Sequence, residues 1–225
     1  MRNYLALFVF LIPFSLRAQL EIGFRVGVNM SEINVDKIVA NPLDFSDHKG
    51  IQLSGIFNFQ LSKSLALQPE LAFVQKGFKY AMEGGDYQEF LSNYFELPVL
   101  GELGVPLGNK LQIFVDAGPS LSYLLSAKES IFNADLNELS TSDIDFDLRK
   151  EFERLDYGLN FGGGFSLRFG RSRLRFDARY NVGLNEILTI DTTQAAYKLA
   201  KNKVTNFSIG YTYILLGKIK KKKDD

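Results

Sequence analysis

Residues 20–30, Leu-Glu-Ile-Gly-Phe-Arg-Val-Gly-Val-Asn-Met, alternate apolar with polar or small side chains without a break. Successive side chains of an extended chain point in opposite directions. Leu20, Ile22, Phe24, Val26, Val28 and Met30 therefore share one face of a strand, while Glu21, Gly23, Arg25, Gly27 and Asn29 share the other. The ribbon has a greasy face and a polar, charged one. A soluble sandwich and a membrane barrel both need such ribbons, so the rest of the chain decides between them.

The preceding residues, 1–19, begin with the cationic Arg2, continue through an apolar run at 4–12 and Pro13, and end in Ser15, Leu16, Arg17 and Ala18. This is the pattern of a secretory signal peptide cut near Ala18. The apolar run is much shorter than the roughly 20 residues of a spanning helix, and no later run approaches that length. The expected organisation is a signal peptide over 1–19, one domain over 20–216 and a basic tail over 217–225. The 46% hydrophobic and 13% aromatic fractions suffice for a core or a lipid-facing belt. A formal charge of zero gives no electrostatic reason to expect nucleic acid. With no cysteine, the chain is neither a disulfide scaffold nor carries a lipid-modified cysteine.

The same period of two recurs at 51–61, 65–78, 93–105, 111–125, 155–169, 174–184 and 205–215, giving eight alternating segments in all. Their connections run long, short, long, short, long, short, long. The short ones, at 62–64, 106–110 and 170–172, are made of turn formers that close tight hairpins. The long ones, near 31–50, 79–92, 126–154 and 185–204, are polar and rich in Asp, Asn, Ser and Glu. An even number of strands with short turns at one end and long loops at the other is the pattern of an outer-membrane barrel. Segments of this length also exceed the roughly 9 to 11 residues that a tilted strand needs to cross a bilayer.

The charges favour the barrel over the sandwich. The polar faces carry Glu21, Glu70, Glu96, Glu102, Asp116, Asp156 and Asp177 against Arg25, Lys76, Arg168, Arg173, Arg175 and Arg179. Near-neutrality is what a packed lumen of ion pairs requires, whereas a water-facing surface has no such constraint. Closure also removes the edges that long apolar strands would otherwise expose.

The chain resembles the PorT family of outer-membrane β-barrel proteins from Bacteroidetes. The likeness is carried by Phe24-Arg25-Val26-Gly27-Val28-Asn29-Met30-Ser31, by Leu67-Gln68-Pro69-Glu70-Leu71 with Gln75-Lys76-Gly77, and by Tyr94-Phe95-Glu96-Leu97-Pro98. Gly118-Pro119-Ser120 with Tyr123-Leu124-Leu125-Ser126-Ala127, and Arg179-Tyr180-Asn181-Val182-Gly183-Leu184, complete the set in the family's order. The resemblance implies a fold and a compartment, not a reaction. The family's founding member is linked to type IX secretion and gliding, and most relatives have no assigned role. The sequence departs from the commonest pattern at its end, where a basic run, Lys218 and Lys220 to Lys223, follows Leu215.

Candidate sites are few. His48, the sole histidine, stands in the first long loop beside Asp47 and Lys49; an esterase or lipid A deacylase needs such a base with a serine nucleophile, but a solvated loop histidine is the better account. Asp143, Asp145 and Asp147 have the alternate spacing of a calcium loop's first positions without its glycine turn or closing glutamate. Gly162-Gly163-Gly164 lies inside a strand pattern with no helix following, so it relieves crowding or permits a bend rather than cradling phosphate. Asp191-Thr192-Thr193 has the form of a short glycosylation motif of exported Bacteroidetes proteins. Arg173, Arg175 and Arg179 are expected to pair with Asp177, Glu96 or Asp116 rather than line an anion path, because eight strands leave a lumen that side chains fill.

The expected protein is thus an all-β, eight-stranded, antiparallel up-and-down transmembrane barrel in the outer membrane, non-enzymatic, with no cofactor, metal or catalytic residues. Its partners are outer-membrane lipid and, through its long loops, other envelope or secretion proteins, with no nucleic acid. A lipid-modifying barrel enzyme using His48, and a narrow channel or small-ligand carrier, are the alternatives.

Overall fold

Nine antiparallel strands make up one sheet in the computed structural model, which describes residues 19–37, 45–81, 83–145, 153–185 and 197–216. They are β1 (Gln19–Lys37), β2 (Phe45–Gln60), β3 (Leu65–Ala81), β4 (Tyr87–Leu107), β5 (Leu111–Asn133), β6 (Glu138–Asp143), β7 (Leu155–Phe169), β8 (Ser172–Gly183) and β9 (Tyr197–Leu216). The order β4-β3-β2-β1-β9-β8-β7-β5, with β4 also paired to β5, closes eight of them into a ring. The eight alternating segments of the sequence lie in those ring strands, except for the last residue of two of them, Leu61 and Leu184. The expected signal peptide up to residue 18, and the tail from 217, lie outside the described residues.

The period of two appears as burial. Along β4, Tyr94, Glu96, Leu100 and Glu102 are buried while Phe95, Leu97, Val99 and Leu103 are exposed. Outward aliphatic and aromatic side chains girdle the ring, with Phe24 55%, Val115 57% and Phe161 50% exposed. Such a continuous apolar surface is unfavourable in water at roughly 25 cal/mol per Å² and is stable facing hydrocarbon. Among the described residues no helix is long and apolar enough to cross a membrane; crossing falls to the strands.

The short connections are tight. The Ser62 hydroxyl accepts the Leu65 and Ser64 N–H groups at 3.0 and 3.3 Å. Gly108 and Gly170 hold φ of 73° and 62°, left-handed backbone that favours glycine. In outer-membrane barrels this end faces the periplasm.

The opposite end departs from the sequence expectation. β4 and β5, of 21 and 23 residues, are about twice the length a bilayer needs, and they occupy stretches read as loops at 87–92 and 126–133. Within the loop expected over 126–154 lies β6, which pairs with β5 alone among the described strands. Its residues are all exposed, so no buried face imposes a hydrophobic alternation for the sequence to reveal. A register shift between Asn93 and Tyr94 marks where this extension begins, the kind of bulge that barrel rims use to re-aim strands. Just above it, Tyr94, Leu124 and Ala127 pack with Ile144, and Phe90 lies against them. Ile144 is anchored there by its N–H, which donates to the Ala127 carbonyl at 2.9 Å. This apolar cluster lies at the long-loop end of β4 and β5.

Candidate functional site

The charged faces converge in the lumen because alternate residues of every ring strand point inward. At the centre, Glu70 on β3 lies between two guanidiniums. One carboxylate oxygen pairs with Arg25 of β1, and the other accepts Arg179 Nη1 of β8 at 2.9 Å and Gln68 Nε2 at 2.7 Å. Arg25 Nη1 reaches Asp177 at 3.0 Å. Arg179 also clasps Asp116 on β5, at 2.8 Å through Nη2 and 3.2 Å through Nε. These five groups tie four strands across the ring, and all are buried.

Further pairs flank this centre. Toward the short turns, Arg175 meets Glu102 at 2.5 Å and lies 4.2 Å from the Phe114 ring centroid. Glu21 receives Arg173 at 3.0 Å, Arg168 at 3.4 Å and the Thr212 hydroxyl at 2.9 Å. Toward the long loops, Lys76 stands 3.2 Å from Glu96 and 3.6 Å from Asp156, with its ammonium over the Tyr94 ring. The seven carboxylates and six cations expected to balance in a lumen thus do meet there. The expected partners need correction in part. Arg179 does pair with Asp116 and Asp177, but Arg175 takes Glu102 and Arg173 takes Glu21, while Glu96 is taken by Lys76. Inter-strand register decides this, and one sequence does not display register across a ring.

The lumen is also partly apolar. Ile56, Leu100, Phe114 and Ile214 are inward and at most 2% exposed, filling space between the ion pairs. The internal void near Lys76, Glu96, Arg179 and Asn206 amounts to about 20 Å³. A single water needs about 10–15 Å³ measured this way, so this void has room for about one water.

Asn29 and Ser31 have a local task. The β2–β3 ladder shifts register between Asp47 and Gln52, which leaves backbone groups to be satisfied. Asn29 Nδ2 donates to the Ile51 and Gln75 carbonyls at 3.2 and 3.1 Å. Ser31 Oγ accepts the Gly77 N–H at 2.8 Å and lies 3.0 and 3.2 Å from the Gly77 and His48 carbonyls. Side chains of β1 thereby mend the seam between its neighbour and the strand beyond.

The remaining candidates are dispersed. His48 belongs to strand β2, not to a loop, and its Nδ1 lies 2.8 Å from Glu89 Oε1. The hydroxyl of Ser31, close by, is engaged by backbone and not by the imidazole. Asp143 ends β6 and forms a solvent-exposed pair with Lys128 at 3.6 Å. Asp145 follows it, and Asp147 lies outside the described residues, as do Asp191, Thr192 and Thr193. Among the described residues no group of three or more metal-ligating side chains converges. The glycine run serves close packing, since a Cβ on Gly162 would meet Arg179 Cγ at 2.5 Å and Asp116 Oδ1 at 2.9 Å. Its absence of a side chain makes room for the Arg179–Asp116 clasp.

Among solved structures the chain is similar to Neisserial surface protein A, at 11% identity and a TM-score of 0.44, over 86% of this chain and 97% of that one. It is similar to Ail, the attachment invasion locus protein of Yersinia pestis, at 14% identity and a TM-score of 0.42, over 87% and 98%. It is also similar to OprG of Pseudomonas aeruginosa, at 11% identity and a TM-score of 0.47, over 88% and 96%. No curated protein matches the sequence. Residues 15–189 match the family described as outer membrane protein beta-barrel domain. That match covers most of a chain whose strands close into a ring greasy outside and charged within; the protein belongs to the outer membrane protein beta-barrel domain family and resides in the outer membrane.

Proposed function

We propose that this barrel is a non-enzymatic structural or interaction protein, working through its long-loop end and not through its lumen. The observation that carries the reading is the filled section: ion pairs and apolar side chains leave a void of only about 20 Å³, while β4 and β5 extend well past the bilayer. The β5–β6 hairpin exposes Ile131, Leu136 and Leu139, Leu136 at 72%, which supports a role in contact with other envelope proteins. The likeness to the PorT family, with its founding link to secretion, makes an accessory part in export the specific form of this proposal.

The test is conductance of the purified protein in a planar bilayer. The proposal expects no discrete current steps; reproducible steps with a salt-dependent amplitude would establish a channel instead. The enzymatic alternative through His48 is checked by the mass spectrum of lipid A from cells with the native protein and with His48→Ala. Identical spectra accord with the proposal, and a modification lost in the variant refutes it.

A further inference from the structure

We propose that the periplasmic mouth of the barrel is a binding site for the free carboxylates of short cell-wall stem peptides. The mouth is a bowl of about 640 Å³ formed where the short turns meet the lowest inward residues. Among the described residues its lining holds Lys63, Lys110, Arg168 and Arg173 and no carboxylate. A volume within the range of small-ligand clefts, about 300–1,000 Å³, admits a peptide terminus and excludes a folded domain.

Two further observations point to an anionic group. Arg173, 2% exposed at the inner part of the bowl, has Nη1 on Gln112 and Nη2 on Glu21, yet its Nε has no hydrogen-bond partner among the described residues. The protein itself places a carboxylate in this chemistry, since Glu21 is held between Arg168 and Arg173. Arg168 keeps 34% of its side chain exposed after that contact and is available to a second anion from outside. The three short turns reinforce the sign, with Lys63, Lys110 and Arg171 and not one acidic residue.

The direction of approach selects the source. Gln60, Gln112, Ser166, Arg168 and Arg173 all stand on the inward faces of their strands, so the bowl opens along the barrel axis toward periplasmic water. A phospholipid headgroup lies outside the ring, beside the apolar belt, and would have to leave its leaflet to enter. A carboxylate-bearing peptide of the wall arrives from the open side. The site is independent of the role proposed for the long-loop end.

The experiment uses the full mature chain in nanodiscs of zwitterionic lipid and a soluble monomeric muropeptide as probe, with affinity read by calorimetry at low and moderate salt. The native protein is expected to bind, with affinity falling as salt rises. Lys63→Gln with Lys110→Gln, exposed changes that leave the ion-pair network alone, should weaken binding several-fold. Adding Arg168→Gln should bring the total loss to about tenfold or more, as expected for a charge-assisted hydrogen bond. Replacing Lys218 and Lys220 to Lys223 by Gln should leave the affinity unchanged within twofold. Heat-shifted migration on a gel verifies folding of each variant. The proposal is overturned if the native protein does not bind, if the bowl variants bind as it does, or if the loss follows the tail substitutions. It is equally overturned if a muropeptide with amidated carboxylates or inorganic phosphate binds as tightly, or if binding requires anionic lipid in the disc.

Discussion

Arg179 of β8 and Glu70 of β3, 109 positions apart in the chain, lie 2.9 Å from each other across the lumen, both buried. Each also has another opposite charge, Asp116 for Arg179 and Arg25 for Glu70. Removing one member therefore strands charges that no solvent reaches. Arg179→Leu should lower stability by about 3 to 5 kcal/mol, the usual cost of breaking a buried pair. Lys201→Leu, above the membrane on β9, should move the urea midpoint little. Equal midpoints for the two variants would place Arg179 in water.

Ser31 provides a second test of the interior. Its hydroxyl accepts the Gly77 N–H where the β2–β3 ladder shifts, so Ser31→Ala leaves a buried donor unsatisfied. The expected loss is about 1 to 3 kcal/mol. Faster hydrogen exchange at Gly77, with slow exchange preserved at Phe114, two strands away on β5, is the accompanying signature. Uniformly accelerated exchange across the barrel would show that the contact is not local.

Gly162 stands where a side chain would collide with the Arg179–Asp116 clasp. Gly162→Val should cost about 1 to 3 kcal/mol by overpacking, whereas Ala178→Val, an enlargement on the exposed face of β8, should be tolerated. The readout is the fraction of protein showing the fast-migrating folded band after refolding. A Gly162→Val protein that folds as fully as Ala178→Val would mean the lumen has room to spare.

The ring was legible in the chain because alternation at Phe24, Val26 and Val28, repeated in seven later segments, reports a face that must meet something greasy. The charged residues of the lumen were legible for the same reason, as the alternate set. Their pairing was not: whether Glu96 meets Lys76 or an arginine depends on how far each strand slides against its neighbour, and sliding leaves no mark in one sequence. Phe114 and Leu100 escaped notice as lumen residues because they are apolar on a face otherwise read as polar. β6 escaped because Ser140, Thr141 and Ser142 are exposed on both faces and carry no period. His48 was read as a loop residue because Asp47 and Lys49, both exposed, give its neighbourhood the look of solvent, although β1 pairs with β2 up to Ser31 and His48.

The outward placement of Phe57 and Phe161, 39% and 50% exposed, is the feature on which the whole account rests. An arginine at either should cost about 2 to 4 kcal/mol if it sits at the bilayer midplane. The direct measurement is the relaxation of spin labels at positions 57 and 161 in the reconstituted protein. The account predicts ready relaxation by oxygen dissolved in the bilayer and poor relaxation by a water-soluble nickel reagent at both. Labels that neither reagent reaches would mean that the apolar faces pack against protein, and labels that nickel relaxes well would put them in water; either result contradicts a barrel with its greasy face in lipid.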